Sequence, residues 1–161
     1  MGEAVKDFSD SPGSAHLWIT RIAAIMGIGG GATGLISSAM SWSSMGPPSA
    51  YFLWFVFLML YVLGILAGIR VIEGRPQAVR DFRIYLWMQV PVLQTYVLTY
   101  FFTVFASYTP IYHGGTIVEL GWLLGSTWTF AIFSMPSEFG VGINFVPLAV
   151  LGVLKLLTSR K

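Results

Sequence analysis

The chain has 161 residues, 55% hydrophobic and only 10% charged, with a mean hydropathy of +0.73, whereas a soluble domain carries about a quarter charged residues. That balance excludes an ordinary water-soluble enzyme and points to one integral membrane domain over residues 1–161. The formal charge of +2 is spread along the chain without a basic stripe interleaved with aromatics, so no nucleic-acid partner is expected, and the absence of cysteine removes disulfides, thiolate metal sites and thiol nucleophiles.

Residues 1–16, MGEAVKDFSDSPGSAH, mix acids with Ser, Gly and Pro and read as a cytoplasmic arm. The first predicted span covers about residues 22–42, an uncharged run entered through Trp18 and Arg21, residue types that favour the headgroup level. Inside it lies GIGGGATG, Gly27 to Gly34, whose Gly27, Gly29 and Ala32 match the spacing of a dinucleotide-binding loop. A phosphate cradle needs a preceding strand and a helix N-terminus, but the flanks RIAAIM and LISSAM belong to the interior of a membrane helix. Ala23, Gly27 and Gly31, with Gly30 and Gly34 beside them, instead make small-residue rows that let helices approach closely. A cleavable signal peptide ending near Ser37 and Ala39 is the rival reading. The acids Glu3, Asp7 and Asp10 and the length of the apolar run argue against it.

SWSSMGPPSA, residues 41–50, is a turn carrying Pro47 and Pro48. The second span, about 51–69, is apolar throughout and rich in aromatics, and it ends at Arg70. From there RVIEGRPQAVRDFR supplies Arg70, Arg75, Arg80 and Arg83, which orient the chain and are candidates for anionic-lipid contact.

A third span is expected over about 84–108. It is the most polar of the set: Gln89 and Gln94 flank Pro91, and Thr95, Thr99, Thr103 and Ser107 recur every four residues, which on a helix aligns them on one face. Gln89, Gln94, Thr95, Thr99 and Thr103, together with Asn144 of the last span, are candidates for a polar pathway or pocket, with hydrogen bonding between helices as the plainer role. The last span covers about 139–157. It contains Asn144 as its one polar residue near the outer end and Lys155 near the inner end.

Segment 116–135 is apolar enough to be counted as a further crossing, but that would carry Lys155, Arg160 and Lys161 to the face opposite the other basic residues. It is therefore expected to cap the bundle from the second outer loop. Alternation of Trp128, Phe130 and Ile132 with Thr127, Thr129 and Ala131, after Val118, Leu120, Trp122 and Leu124, suggests a β-hairpin turning at Gly125 and Ser126. A re-entrant helix is the alternative. The resulting fold class is an all-α, four-transmembrane-helix bundle, N-in and C-in, of the plasma membrane and most naturally a bacterial inner membrane.

No ionisable residue falls near the middle of any of these spans, where ion-coupled carriers usually keep one. His113, Glu119 and Glu138 are dispersed in the outer loop with no spacing that enforces a metal site, and no catalytic residue, metal or cofactor is assigned. Three function classes remain. The leading one is a non-enzymatic accessory or assembly subunit, or a self-associating bundle, whose partners are the lipid bilayer, a second copy or a larger membrane protein. The alternatives are a small oligomeric channel or carrier lined by the threonines, and a lipid-modifying enzyme using His113 and an outer acid.

Overall fold

A computed structural model of the chain describes residues 12–42, 48–75, 77–113, 117–132 and 139–158. Two long helices come first, α1 over Pro12–Met40 and α2 over Pro48–Ile72. Each contains an apolar stretch long enough to cross a membrane, Leu17–Met40 with 24 residues and Ala50–Ile72 with 23. They pack as a close hairpin because small residues stand at the crossing. A Cβ at Gly31 would lie 2.7 Å from Ile65 Cγ1, one at Gly68 would lie 2.8 Å from the Ala24 carbonyl oxygen, and one at Gly34 would overlap the Tyr61 ring. At the far end of the pair, Trp54 Nε1 donates to the Ser38 carbonyl at 2.8 Å.

The short helix α3, Ala78–Trp87, buries Ala78, Phe82, Tyr85 and Leu86, an i, i+4, i+7, i+8 stripe. Phe82 rests on Gly27 and Tyr85 on Gly64, so a glycine on each long helix makes room for an α3 aromatic. The chain then leaves helical geometry. Six strands follow: β1 Pro91–Gln94, β2 Leu98–Thr103, β3 Ala106–His113, β4 Ile117–Leu124, β5 Thr127–Ile132 and β6 Gly140–Ile143. A last helix, α4, runs over Phe145–Thr158.

The strands form one antiparallel sheet in the order β4-β3-β6-β1-β2-β5. Its two edges, β4 and β5, are consecutive in the chain and joined only by Gly125 and Ser126. A flat six-stranded sheet would separate them by five spacings of about 4.8 Å, whereas three Cα steps reach about 11 Å. The sheet must therefore curl until its edges meet at that end. Gly125 takes a φ of 135° there, and its N–H donates to the Phe105 carbonyl in the β2–β3 turn at 2.7 Å.

The outer surface of β2 and β5 packs on α2. Phe57 stacks on Trp128 with centroids 4.5 Å apart, and Phe102 meets Tyr61 at 5.3 Å and Tyr85 edge-on at 6.1 Å. Close by, Ser126 Oγ donates to the Gly30 carbonyl at 2.5 Å.

This architecture overturns the four-helix bundle. Among the described residues only α1 and α2 have spanning length and composition. The expected third span, 84–108, consists of the end of α3, then β1, β2 and the start of β3. Pro91 cannot extend a helix with its ring and missing N–H, and the Tyr, Phe, Thr and Val that follow favour pleated backbone. The expected fourth span, 139–157, is β6 followed by α4, whose 14 residues measure about 21 Å against a hydrocarbon thickness of about 30 Å. Segment 116–135 is not a separate cap either. Strands do occupy 117–124 and 127–132, but β4 pairs with β3 and β5 with β2, never with each other.

The glycine contacts give a stability test by thermal unfolding in detergent. Gly34→Val must displace the Tyr61 ring and should cost about 1–3 kcal/mol. Gly29→Ala, where nothing lies within 4 Å of an added Cβ, should instead stabilise by about 0.5–1 kcal/mol.

Candidate functional site: a chamber inside the curled sheet

Curling shapes a half-open chamber of about 370 Å³. Strand alternation decides what lines it. The register pairs Gln94 with Thr99, Phe101 with Thr129, and Thr109 with Gly121, all on the inner face. The intervening residues Tyr100, Phe102, Trp128 and Phe130 turn outward onto the helices. The inner polar groups are the Gln94 amide and the hydroxyls of Thr99, Ser107, Thr109, Thr127 and Thr129, set among Val92, Phe101, Ile111 and Leu123. Small inner residues keep the space open. Gly142 faces both Val92 and Ile111 across its two neighbouring strands, and a Cβ there would lie 2.7 Å from the Pro110 carbonyl.

Thr109 belongs to the wall, and it is 3% exposed. Its Oγ1 has no hydrogen-bond partner in the protein and is sealed from the chamber as well as from solvent, a cost of about 1–3 kcal/mol carried inside the wall. None of the described lining residues carries a formal charge.

The inner end of the chamber is closed by a polar junction. Asn144, fully buried, stands between β6 and α4. Its Oδ1 accepts the N–H groups of Tyr108 and Val146, each at 3.2 Å, its own N–H donates to the Val90 carbonyl at 2.8 Å, and its Nδ2 reaches Thr103 Oγ1 at 3.4 Å. Thr103 Oγ1 in turn donates to the Ala106 carbonyl at 3.0 Å, and Gln89 Oε1 accepts the Val104 N–H at 3.0 Å. Each of these side chains satisfies backbone where a helix or strand stops.

The six residues expected to form one polar pathway thus divide. Gln94 and Thr99 line the chamber; Gln89, Thr103 and Asn144 seal its inner end; and Thr95 closes the β1–β2 turn, donating to the Leu98 carbonyl at 2.8 Å and accepting the Leu98 N–H at 2.9 Å. Thr109, Thr127 and Thr129 join the lining without having been read as site residues. Alternation in β5 did place Thr127 and Thr129 on one face, but only the edge-to-edge topology turns that face toward Gln94 and Thr99.

The other candidates lie away from the chamber. Gly27, Gly30, Gly31 and Gly34 face Phe82, the Val104–Phe105 turn, Ile65 and Tyr61 respectively, and Ala23 is buried in the same core, so this row is used in packing within the chain. Arg75 pairs with Glu73 at 2.5 Å, and Arg80 lies 3.6 Å from Asp81. Such exposed pairs contribute little. Arg83 donates to the Leu154 carbonyl at 2.7 Å, tying α3 to the C-terminal half of α4, while Arg70 lies exposed in the last turn of α2. His113 pairs in register with Ile117 and Glu119 with Ile111 on the β3–β4 ladder, and Glu138 lies outside the described residues. No family model matches the chain, and neither a curated protein nor a solved structure is similar to it.

The division between lining and junction is measurable. Asn144→Leu strands two buried N–H groups and should lower stability by at least about 2 kcal/mol in equilibrium unfolding. Gln94→Leu, which alters only the chamber wall, should change it by less than about 0.5 kcal/mol.

Proposed function

We propose that this protein is an integral membrane binding protein, anchored by α1 and α2 in a bacterial inner membrane, whose curled sheet holds a small uncharged molecule with both polar and apolar parts. The observation that carries this reading is the chamber itself, about 370 Å³ and lined by Gln94, Thr99, Thr127 and Thr129 beside Phe101 and Leu123, a size within the usual range of about 300–1,000 Å³ for ligand sites. The hydroxyls and the Gln94 amide both donate and accept hydrogen bonds, which suits hydroxyl, carbonyl or amide groups of a ligand, and Phe101, Ile111 and Leu123 suit its apolar part.

Binding is favoured over conduction because the inner end is blocked by Thr103 and Asn144, both fully buried. It is favoured over catalysis because a Ser or Thr hydroxyl needs an adjacent base to become a nucleophile, and none is present among the described lining residues. The membrane setting draws support from the two long apolar helices and from the basic residues Arg70, Arg75 and Arg80 near the α2–α3 turn, which mark a cytoplasmic end. An accessory role in a larger assembly is compatible with this reading, with the chamber as what the subunit contributes.

Native mass spectrometry of the protein released from its own membranes tests the proposal. The wild type should retain a small non-covalent adduct. Gly121→Leu should lose it by filling the chamber, since a Cβ at that position meets only the Thr109 carbonyl at 3.5 Å, and Gln94→Leu should weaken it about tenfold for a loss near 1.4 kcal/mol. A wild type without an adduct, or an adduct unaffected by both substitutions, would overturn the assignment.

A further inference from the structure

The outer face of the sheet raises a separate question. Where β2 and β5 pack on α2 the face is covered, but β3, β4 and β6 continue it as an open apolar surface. Tyr108, Tyr112, Leu120, Val141 and Ile143 are all exposed there, with Trp122 at 76% and Leu124 at 71%. The residues alternating with them, Ser107, Thr109, Gly121 and Gly142, face inward. A sheet with one face in water keeps its polar residues on that face. Here the order is reversed, as it is in barrels that stand in lipid.

The depth at which the sheet docks identifies what covers this face. Its inner end, the β2–β3 turn at Val104 and Phe105 together with Ser126, is fixed to Gly30 and Thr33 of α1. Gly30 lies thirteen residues from Leu17 and ten from Met40, the limits of the apolar stretch, or about 20 and 15 Å along the helix. On α2 the sheet meets Phe57 and Tyr61, again near the middle of Ala50–Ile72. With both helices crossing the bilayer, the strands start near its midplane and run toward the outer surface.

The side chains follow that depth. Leu124 and Ile143, at the inner ends of β4 and β6, are purely aliphatic, whereas Tyr112 near the outer end of β3 and Tyr96 in the β1–β2 turn are amphipathic rings, which favour the headgroup level. We infer that the open outer face of the curled sheet is immersed in the outer leaflet and solvated by lipid acyl chains, so that the chamber lies at membrane depth. The inference rests on α1 and α2 crossing the bilayer, and it stands whether or not the chamber holds a ligand.

The native chain contains no cysteine, so single substitutions can carry a nitroxide without any background change. Trp122→Cys, Leu124→Cys, Ile143→Cys and Tyr112→Cys, spin-labelled in the full chain and reconstituted into vesicles of phosphatidylcholine and phosphatidylglycerol, would be compared with Ile25→Cys on α1 as a control for the span and Glu73→Cys as a control for water. Oxygen, which partitions into lipid, should relax the labels at 122, 124 and 143 severalfold more effectively than a water-soluble nickel chelate. Position 124 should report greater depth than position 112. Nickel access at 122 and 124 equal to that at 73 would overturn the inference in favour of an aqueous sheet. Shielding from both agents would overturn it in favour of a covering protein chain. If position 25 also reports water, the membrane anchoring itself fails; if it reports lipid while the sheet positions do not, only the immersion of the sheet fails.

Discussion

The rest of the structure depends on satisfying backbone hydrogen bonds where helices give way to strands. Two such junctions meet at the inner end of the sheet, one between α3 and β1 and the other between β6 and α4. Away from water an unpaired N–H costs free energy comparable to a lost hydrogen bond, and a change of secondary structure necessarily leaves such groups behind. Asn144 and Gln89 resolve this with side-chain amides. Asn144 accepts from Tyr108 and Val146 and donates its own N–H to the Val90 carbonyl, while Gln89 accepts from Val104. These two residues let α3 end and α4 begin where they do, with the sheet between them.

Fixing the junction also fixes the chamber. Once β1 and β6 are held side by side behind Asn144, the hairpins β1–β2 and β3–β4 extend to either side, and the two-residue link from β4 to β5 draws the edges together. The inner face has room because Thr, Ser and Gly stand among its Phe101, Ile111 and Leu123. Six strands curl without closing, two fewer than the eight at which the side chains of a closed barrel just fill its interior. Apart from Phe101, the aromatic residues of β2 and β5 are on the outside, where Tyr100, Phe102, Trp128 and Phe130 form the core with Phe57 and Tyr61.

Much of the helical part was legible in the sequence. The apolar run of 51–69 falls within α2 and that of 22–42 follows α1 as far as Met40, and the alternation about Gly125 and Ser126 marked two strands where β4 and β5 lie. What misled was the region from 84 to 108, where two signals are degenerate. Hydropathy measures the avoidance of water and does not distinguish a helix from strands. A spacing of four residues, as in Thr95, Thr99, Thr103 and Ser107, lies close to the helical period of 3.6 but is also twice the strand period of 2, so it keeps residues on one face in either geometry. The discriminating features were Pro91 and the density of Tyr, Phe, Thr and Val after it. The pairing of distant strands has no local signature, and for that reason the Thr109 and Thr129 positions could not be joined to Gln94 and Thr99 from sequence alone.

The same ambiguity explains why the sequence imitates four crossings. With α1 and α2 spanning the bilayer, the path from Ala78 runs up α3 to the junction, continues through the sheet, and comes back through Asn144 and down α4, where Arg83 meets the Leu154 carbonyl beside the basic end. Each arm is apolar along its length and so carries the hydropathy of a span, although it changes from helix to strand or from strand to helix part-way. A continuous helix would satisfy its own backbone at every depth and leave no interior. The interrupted arms leave orphan N–H groups at the junction, which the side chains of Asn144 and Gln89 must satisfy, and in exchange the strands curl around a hydroxyl-lined space that four packed helices of this length would have filled with side chains.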